Sequence, residues 1–190
     1  MHFIDRLGLY STIFTDPTAK AVPEPPTHRW RFAYDCLETL RLNESPGSIY
    51  KLLVRTEDTT ELAWILAALC PWAEVAAPTP IKAGGKIPLP YATIVAREGI
   101  KATNRICDAV TAAFRHYDEI SSFKRAVIYQ EPWTQERDRL GMAIRRWDAT
   151  GGHWKLQVVL AILVEAMSSP ESKSKIINHY INRVLDFTNM

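Results

Sequence analysis

Apolar residues recur at intervals of three and four along almost the whole chain, and no stretch alternates apolar with polar at period two. The pattern therefore predicts an all-α fold. Residues 2–14 are expected to form a short helix, with Phe3, Leu7, Tyr10 and Phe14 near one stripe. The next segment, TDPTAKAVPEPPT, holds Pro17, Pro23, Pro25 and Pro26, which fix φ and remove backbone donors. It reads as an extended connector. Thr27 is then the expected cap of a helix to about Leu42, lined by Trp30, Tyr34, Leu37 and Leu40 or Arg41. Ser45-Pro46 opens a short helix bearing Ile49, Tyr50, Leu52 and Leu53. Asp58 and Glu61 stand at the spacing of an acidic capping box, ahead of a buried run over residues 62–69 that Pro71 should end or kink.

The segment AAPTPIKAGGKIPLP, residues 76–90, is a second irregular connector. After it the periodicity predicts one long helix over residues 90–128, with Ile106, Val110, Ala113, Phe114, Tyr117 and Ile120 facing the core. Glu131-Pro132 breaks it, and Thr134 is the expected cap of a helix to Trp147. Leu140, Ile144 and Trp147 form that helix's inner face, while Arg137, Arg139, Arg145 and Arg146 project elsewhere. Gly151-Gly152 turns the chain into residues 154–167, so apolar that the helix should be buried on most sides. Ser169-Pro170-Glu171 starts a last helix with Ile177, Tyr180, Ile181 and Val184 inward. No fixed-period repeat is visible. The organisation expected is two small helical bundles: an N-terminal segment 1–75, the connector 76–90 and a C-terminal segment 91–190.

Composition narrows the class. A chain of 190 residues with 47% apolar content and six Trp can bury a real core. A net charge of +2 and a pI near 8.4 permit nucleic-acid contact only through local clustering of cations. Cys36, Cys70 and Cys107 are far apart and form no Cys-x-x-Cys pair, which favours free buried thiols over disulfides or zinc. The longest apolar runs, LAWILAALCPWA and VVLAILV, are shorter than the ~20 residues of a membrane span. The N-terminus lacks a basic segment followed by an apolar core, so no secretory signal is expected. A soluble, non-membrane, intracellular protein follows, of the cytoplasm, nucleus or mitochondrion.

Candidate chemistry centres on cations. In ATIVAREGIKATNRICDAVTAAFRHYDEI, Arg97, Lys101 and Arg105 recur every four residues, which on a continuous helix makes a ridge suited to phosphates. Gly99 and Thr103 interrupt the ridge and should bend it. Arg145, Arg146 and Lys155 are further candidates, as are Lys82 and Lys86 around Gly84-Gly85; each is also explicable as ordinary solvated surface. Arg145 and Arg146 are adjacent, so at most one points fully toward a ligand.

Catalytic signals are missing. Nucleotidyl transfer uses paired carboxylates that hold two metal ions, commonly as Asp-x-Asp on a strand. The nearest imitation is Glu136-Arg137-Asp138 on a predicted helix, where residues two apart diverge by about 200°. No P-loop, Gly-x-Ser-x-Gly or His-Glu-x-x-His occurs. His2, His28, His116, His153 and His179 show no ligand spacing, and Asp35 beside Cys36 disfavours a thiolate nucleophile. No catalytic residue and no metal ligand is expected here.

Several segments resemble the C-terminal body and tail of class II CCA-adding enzymes, the tRNA nucleotidyltransferases, in their fungal form. FIDRLGLYSTIFTDP is similar to the leucine-rich entry to the helical body, and ELAWILAALCPWAEV and VAREGIKATNRICDAVTAAFR are the closest matches. LGMAIRRWDATGGHWKLQVVLAILVE resembles the Leu-Gly…Arg…Gly…Trp pattern of the C-terminal part. The resemblance implies a helical body and tail that hold a tRNA acceptor stem and elbow by backbone contacts. Catalytic carboxylates, a Gly-rich loop, Mg and the CTP/ATP-selecting residues would belong to a head and neck with no counterpart in these residues. The expected partners are tRNA and a separate or upstream catalytic head, with no cofactor held by this chain itself. The alternative is a helical protein–protein interaction or dimerisation module, a homodimer without an RNA role.

Overall fold

Breaks in the predicted helices are set by particular backbone positions. The structure is a computed structural model that describes residues 1–18, 23–43, 45, 47–78, 87–149 and 153–168. All regular structure among them is helical, as expected. The first expected helix is instead two pieces, α1 (His2–Arg6) and α2 (Tyr10–Ile13). Gly8 between them lies at φ +64, where a right-handed helix cannot continue. The apolar stripe divides accordingly: Phe3 and Leu7 are exposed, whereas Tyr10 and Phe14 are buried.

Helix α3 (Trp30–Leu42) starts without a side-chain cap, and Thr27 contributes its carbonyl, which accepts from the Trp30 amide at 3.0 Å. Ser48 caps α4 (Ile49–Leu53). Helix α5 (Glu57–Leu69) does open with a capping box, but two residues earlier than expected. The Thr59 amide donates to Thr56 Oγ1 at 3.2 Å, and Thr59 Oγ1 accepts from the Thr56 amide at 2.9 Å. A threonine hydroxyl thus does what Glu or Gln does in the usual box. Pro71 ends α5 as expected, in a 3₁₀ turn over Cys70–Glu74.

The single helix expected over residues 90–128 is two, α6 (Tyr91–Glu98) and α7 (Asn104–Ile128). A 3₁₀ turn, Pro132–Gln135, precedes α8 (Arg137–Asp148). Thr134 does not cap α8; it is buried and its hydroxyl donates to the Glu131 carbonyl at 2.7 Å. The final helix, α9 (Trp154–Ser168), buries Leu156 through Val164 with Ala166 and Met167. The helix expected after Ser169 and the Gly151-Gly152 turn lie outside the described residues.

Helix α9 is the axis of the core. It packs against α3, α5 and α7, and Leu160, Leu163 and Met167 are wholly buried. Full burial of such a side chain contributes about 1.5–3 kcal/mol, so α9 is the chief apolar anchor. The buried residues on both sides of the 76–90 connector belong to one contiguous cluster. Helices α7 and α9 run parallel: His116 Nδ1 lies 3.0 Å from Gln157 Oε1, and one turn-pair further along Lys124 pairs with Glu165.

Tyr10, Phe14, Trp30 and Tyr34 form an aromatic cluster against the C-terminal part of α5, with edge-on or tilted rings 4.7–6.0 Å apart. Trp30 Nε1 donates to the Ala67 carbonyl at 2.8 Å and the Tyr10 hydroxyl to the Ala68 carbonyl at 2.9 Å. No helix among the described residues is long and apolar enough to cross a membrane.

Candidate nucleic-acid interface

The α6–α7 hairpin shows why a regular basic spacing does not become a ridge. Its two arms are joined by Thr93 and Thr111, whose hydroxyl oxygens are 2.9 Å apart. Residues 13–15 pack closely on the last turn of α6. A Cβ on Gly99 would meet the Thr15 carbonyl oxygen at 2.5 Å and that of Val95 at 2.8 Å. Only glycine admits that approach. Lys101 then takes a left-handed conformation, φ 53, and the Ala102 amide reaches the Ala96 carbonyl at 2.8 Å.

Arg97 consequently sits on the last turn of α6, Lys101 in the turn and Arg105 on the first turn of α7. The continuous helical ridge expected from the spacing is not formed. Two of the cations are also engaged: Lys101 Nζ pairs with Glu98 at 3.3 Å, and Arg105 Nη2 with Asp58 at 2.7 Å. Arg97 is exposed and belongs to no ion pair among the described residues.

The other candidates divide. Arg145 and Arg146 end α8, both exposed, with Arg146 paired to Glu119 of α7. Adjacent helical residues diverge by about 100°, so Arg145 faces elsewhere. Lys155 lies at the start of α9, partly buried, with Nζ 5.7 Å from the centre of the Trp154 ring. Lys82 and Lys86 lie outside the described residues.

The structure joins Lys155 to a cation that the sequence did not single out. Arg55, just before the α5 capping box, lines the same cleft as Thr59, Asp148, His153, Lys155 and the apolar Leu53, Trp154 and Leu156. Burial, and next Arg55, lower the Lys155 pKa, while Asp148 opposes them. Asp148 also accepts from the Trp154 amide at 3.3 Å and so holds the start of α9.

Helices α5, α7 and α9 therefore begin at one end of the molecule. The Arg105–Asp58 pair joins the starts of α7 and α5, and the cleft joins those of α5 and α9. Helix N-termini carry positive partial charge, each favouring an anion by about 0.3–1 kcal/mol. Arg55, Arg105, His153 and Lys155 add side-chain donors there, while Glu57, Asp58 and Asp148 moderate the field. The arrangement can hold phosphate groups. Among the described residues no group of three or more His, Cys, Asp or Glu could hold a metal ion, and Cys36, Cys70 and Cys107 are buried and form no disulfide with one another.

Over 172 residues, 90% of the chain, it is 46% identical to Nucleotidyltransferase lcsQ of Purpureocillium lilacinum. The chain spans 29% of that protein's length. No family model matches the chain, and no solved structure matches it.

Proposed function

We propose that this chain is the RNA-holding helical portion of a nucleotidyltransferase, and that its substrate is the acceptor stem and elbow of tRNA. In this reading the chain grips the RNA and a head domain outside these residues adds the 3′-CCA. Mg and CTP or ATP would be bound by that head. The observation that carries the reading is the gathering of the α5, α7 and α9 starts with Arg55, Arg105 and Lys155 at one end. Similarity to part of a nucleotidyltransferase supports the nucleotidyl-transfer context. Helix starts and cations suit a backbone-reading role, because the A-form major groove is too deep and narrow for side chains to read bases. Arg97 and Arg145, in no ion pair among the described residues, extend the surface; Lys101 and Arg146 would have to exchange a carboxylate for a phosphate. Lys82 and Lys86 belong to the set by sequence alone.

The test is fluorescence anisotropy with an acceptor-stem minihelix over a salt series, beside single-stranded DNA of equal length. Salt-sensitive preference for the minihelix is expected, with a log–log slope of about −0.7 to −0.9 per phosphate contact. CTP incorporation by the chain alone is expected to be nil. Equal affinity for the DNA, or no RNA binding at low salt, overturns the reading. Concentration-dependent dimerisation indifferent to RNA would favour the protein–protein module instead.

A further inference from the structure

We propose that Arg55 and Lys155, facing one another across the cleft at the start of α9, form a subsite for a single phosphate group. The inference rests on the RNA-holding reading only for the source of that phosphate. Three observations converge on it. The cleft has apolar walls, Leu53, Trp154 and Leu156, with Lys155 half-buried among them and Arg55 exposed at its edge. Apolar walls lower the local dielectric and strengthen any charge–charge attraction made inside.

Neither cation belongs to an ion pair among the described residues, unlike Lys101, Arg105 and Arg146. The carboxylate that faces them, Asp148, shares itself with the Trp154 amide at 3.3 Å. His153 is the remaining titratable group on the rim, and Thr59 is tied into the α5 capping box. Arg55 and Lys155 thus repel each other without a full counter-charge, an arrangement that an anion placed between them relieves. Burial of Lys155 adds to the gain, since a bound anion offsets the penalty that burial places on the charged form.

Size sets the ligand class. The cleft measures about 160 Å³. Pockets that enclose whole small-molecule ligands run to about 300–1,000 Å³. The cleft encloses a phosphate with part of its sugar but not a complete nucleoside triphosphate. The chemistry suits either a backbone phosphodiester or free phosphate. Helix α9, 15 residues long, aims the positive end of its dipole at the same point.

Two arms of one experiment separate the sources. In the first, inorganic phosphate is titrated into the full chain while ¹H–¹⁵N NMR follows the amides of Trp154, Lys155 and Leu156. Saturable shifts are expected, lost in R55Q/K155Q and retained in part in R55K, which keeps the charge but not the guanidinium fork. In the second, the minihelix salt series is repeated on R55Q/K155Q, and the slope should fall by about 0.7–0.9, the share of the one phosphate that both cations hold. Phosphate shifts without any RNA binding would uphold the subsite, assign it to free phosphate and overturn the RNA-holding reading. No phosphate shift in the wild-type chain, together with an unchanged salt slope in the double variant, overturns the subsite. The wild-type titration decides by itself should the double variant not fold.

Discussion

The two ends of helix α5 meet opposite surroundings. At its C-terminal end the Ala67 and Ala68 carbonyls accept from Trp30 and Tyr10, within a dry aromatic cluster. At its N-terminal end Thr56 and Thr59 satisfy the helix themselves, and Asp58, paired to Arg105, is 65% exposed. One helix therefore has a terminus closed by packing and a terminus left open to charge. Polar contacts at the dry end hold the fold, because a lost partner there leaves a buried carbonyl unsatisfied. At the wet end water replaces a lost partner, so cations there are available for a ligand.

The largest effect should come from emptying the dry end. Trp30→Ala removes a wholly buried indole and a hydrogen bond at 2.8 Å. A loss of about 3–5 kcal/mol is expected in urea unfolding. A loss under about 1 kcal/mol would mean that the cluster is not what closes this end.

Alkaline pH should strike the same end next. Burial, and next Cys70, hold the Tyr10 phenol well above its ordinary value of 10.0. Burial, and next the hydrogen bond to Asp5, do the same for Tyr34. Both folded-state values lie above the unfolded one, so this stability is fully present below about pH 10 and is lost as pH rises past it. Unfolding midpoints should fall above that pH, and Tyr34→Phe should flatten the fall. A flat profile from pH 9 to 12 in the wild-type chain would remove both phenols from the account.

The smallest effect belongs to the wet end. Asp58→Asn breaks an exposed pair and should change stability by only about 0–1 kcal/mol. Freed from its carboxylate, Arg105 should tighten minihelix binding and steepen its salt dependence. Weaker binding in Asp58→Asn would show that the pair orients Arg105 instead of occupying it.

The site was less legible than the fold. Helix α9 was readable because its apolar run admits only a buried helix, and Pro71 marked the end of α5 by chemistry local to one residue. The α6–α7 break was foreshadowed by Gly99, but spacing still favoured one helix through it. The Thr15 carbonyl, a neighbour distant along the chain, fills the space a Cβ on Gly99 would need, and the backbone turns out of the helix at left-handed Lys101. The α5 cap was misplaced because Asp58 and Glu61 fit the usual pattern, whereas the pair that forms is Thr56 with Thr59. Arg55 escaped notice because it is a lone cation in LLVRTEDT, and only the packing of α9 sets Lys155 beside it.

The sequence by itself determined an all-α chain, its most buried helix, and a charge balance that leaves function to local clusters. These follow from composition and period, which act through neighbours along the chain. Tertiary structure alone decided which cations are occupied and which join no ion pair among the described residues. Arg97, Lys101 and Arg105 share a spacing, yet Lys101 meets Glu98, Arg105 meets Asp58 and Arg97 joins no ion pair among the described residues, whereas Arg55 and Lys155 share no spacing yet line one cleft. Coulomb interactions depend on distance in space and on burial, and neither is written in the interval between residues.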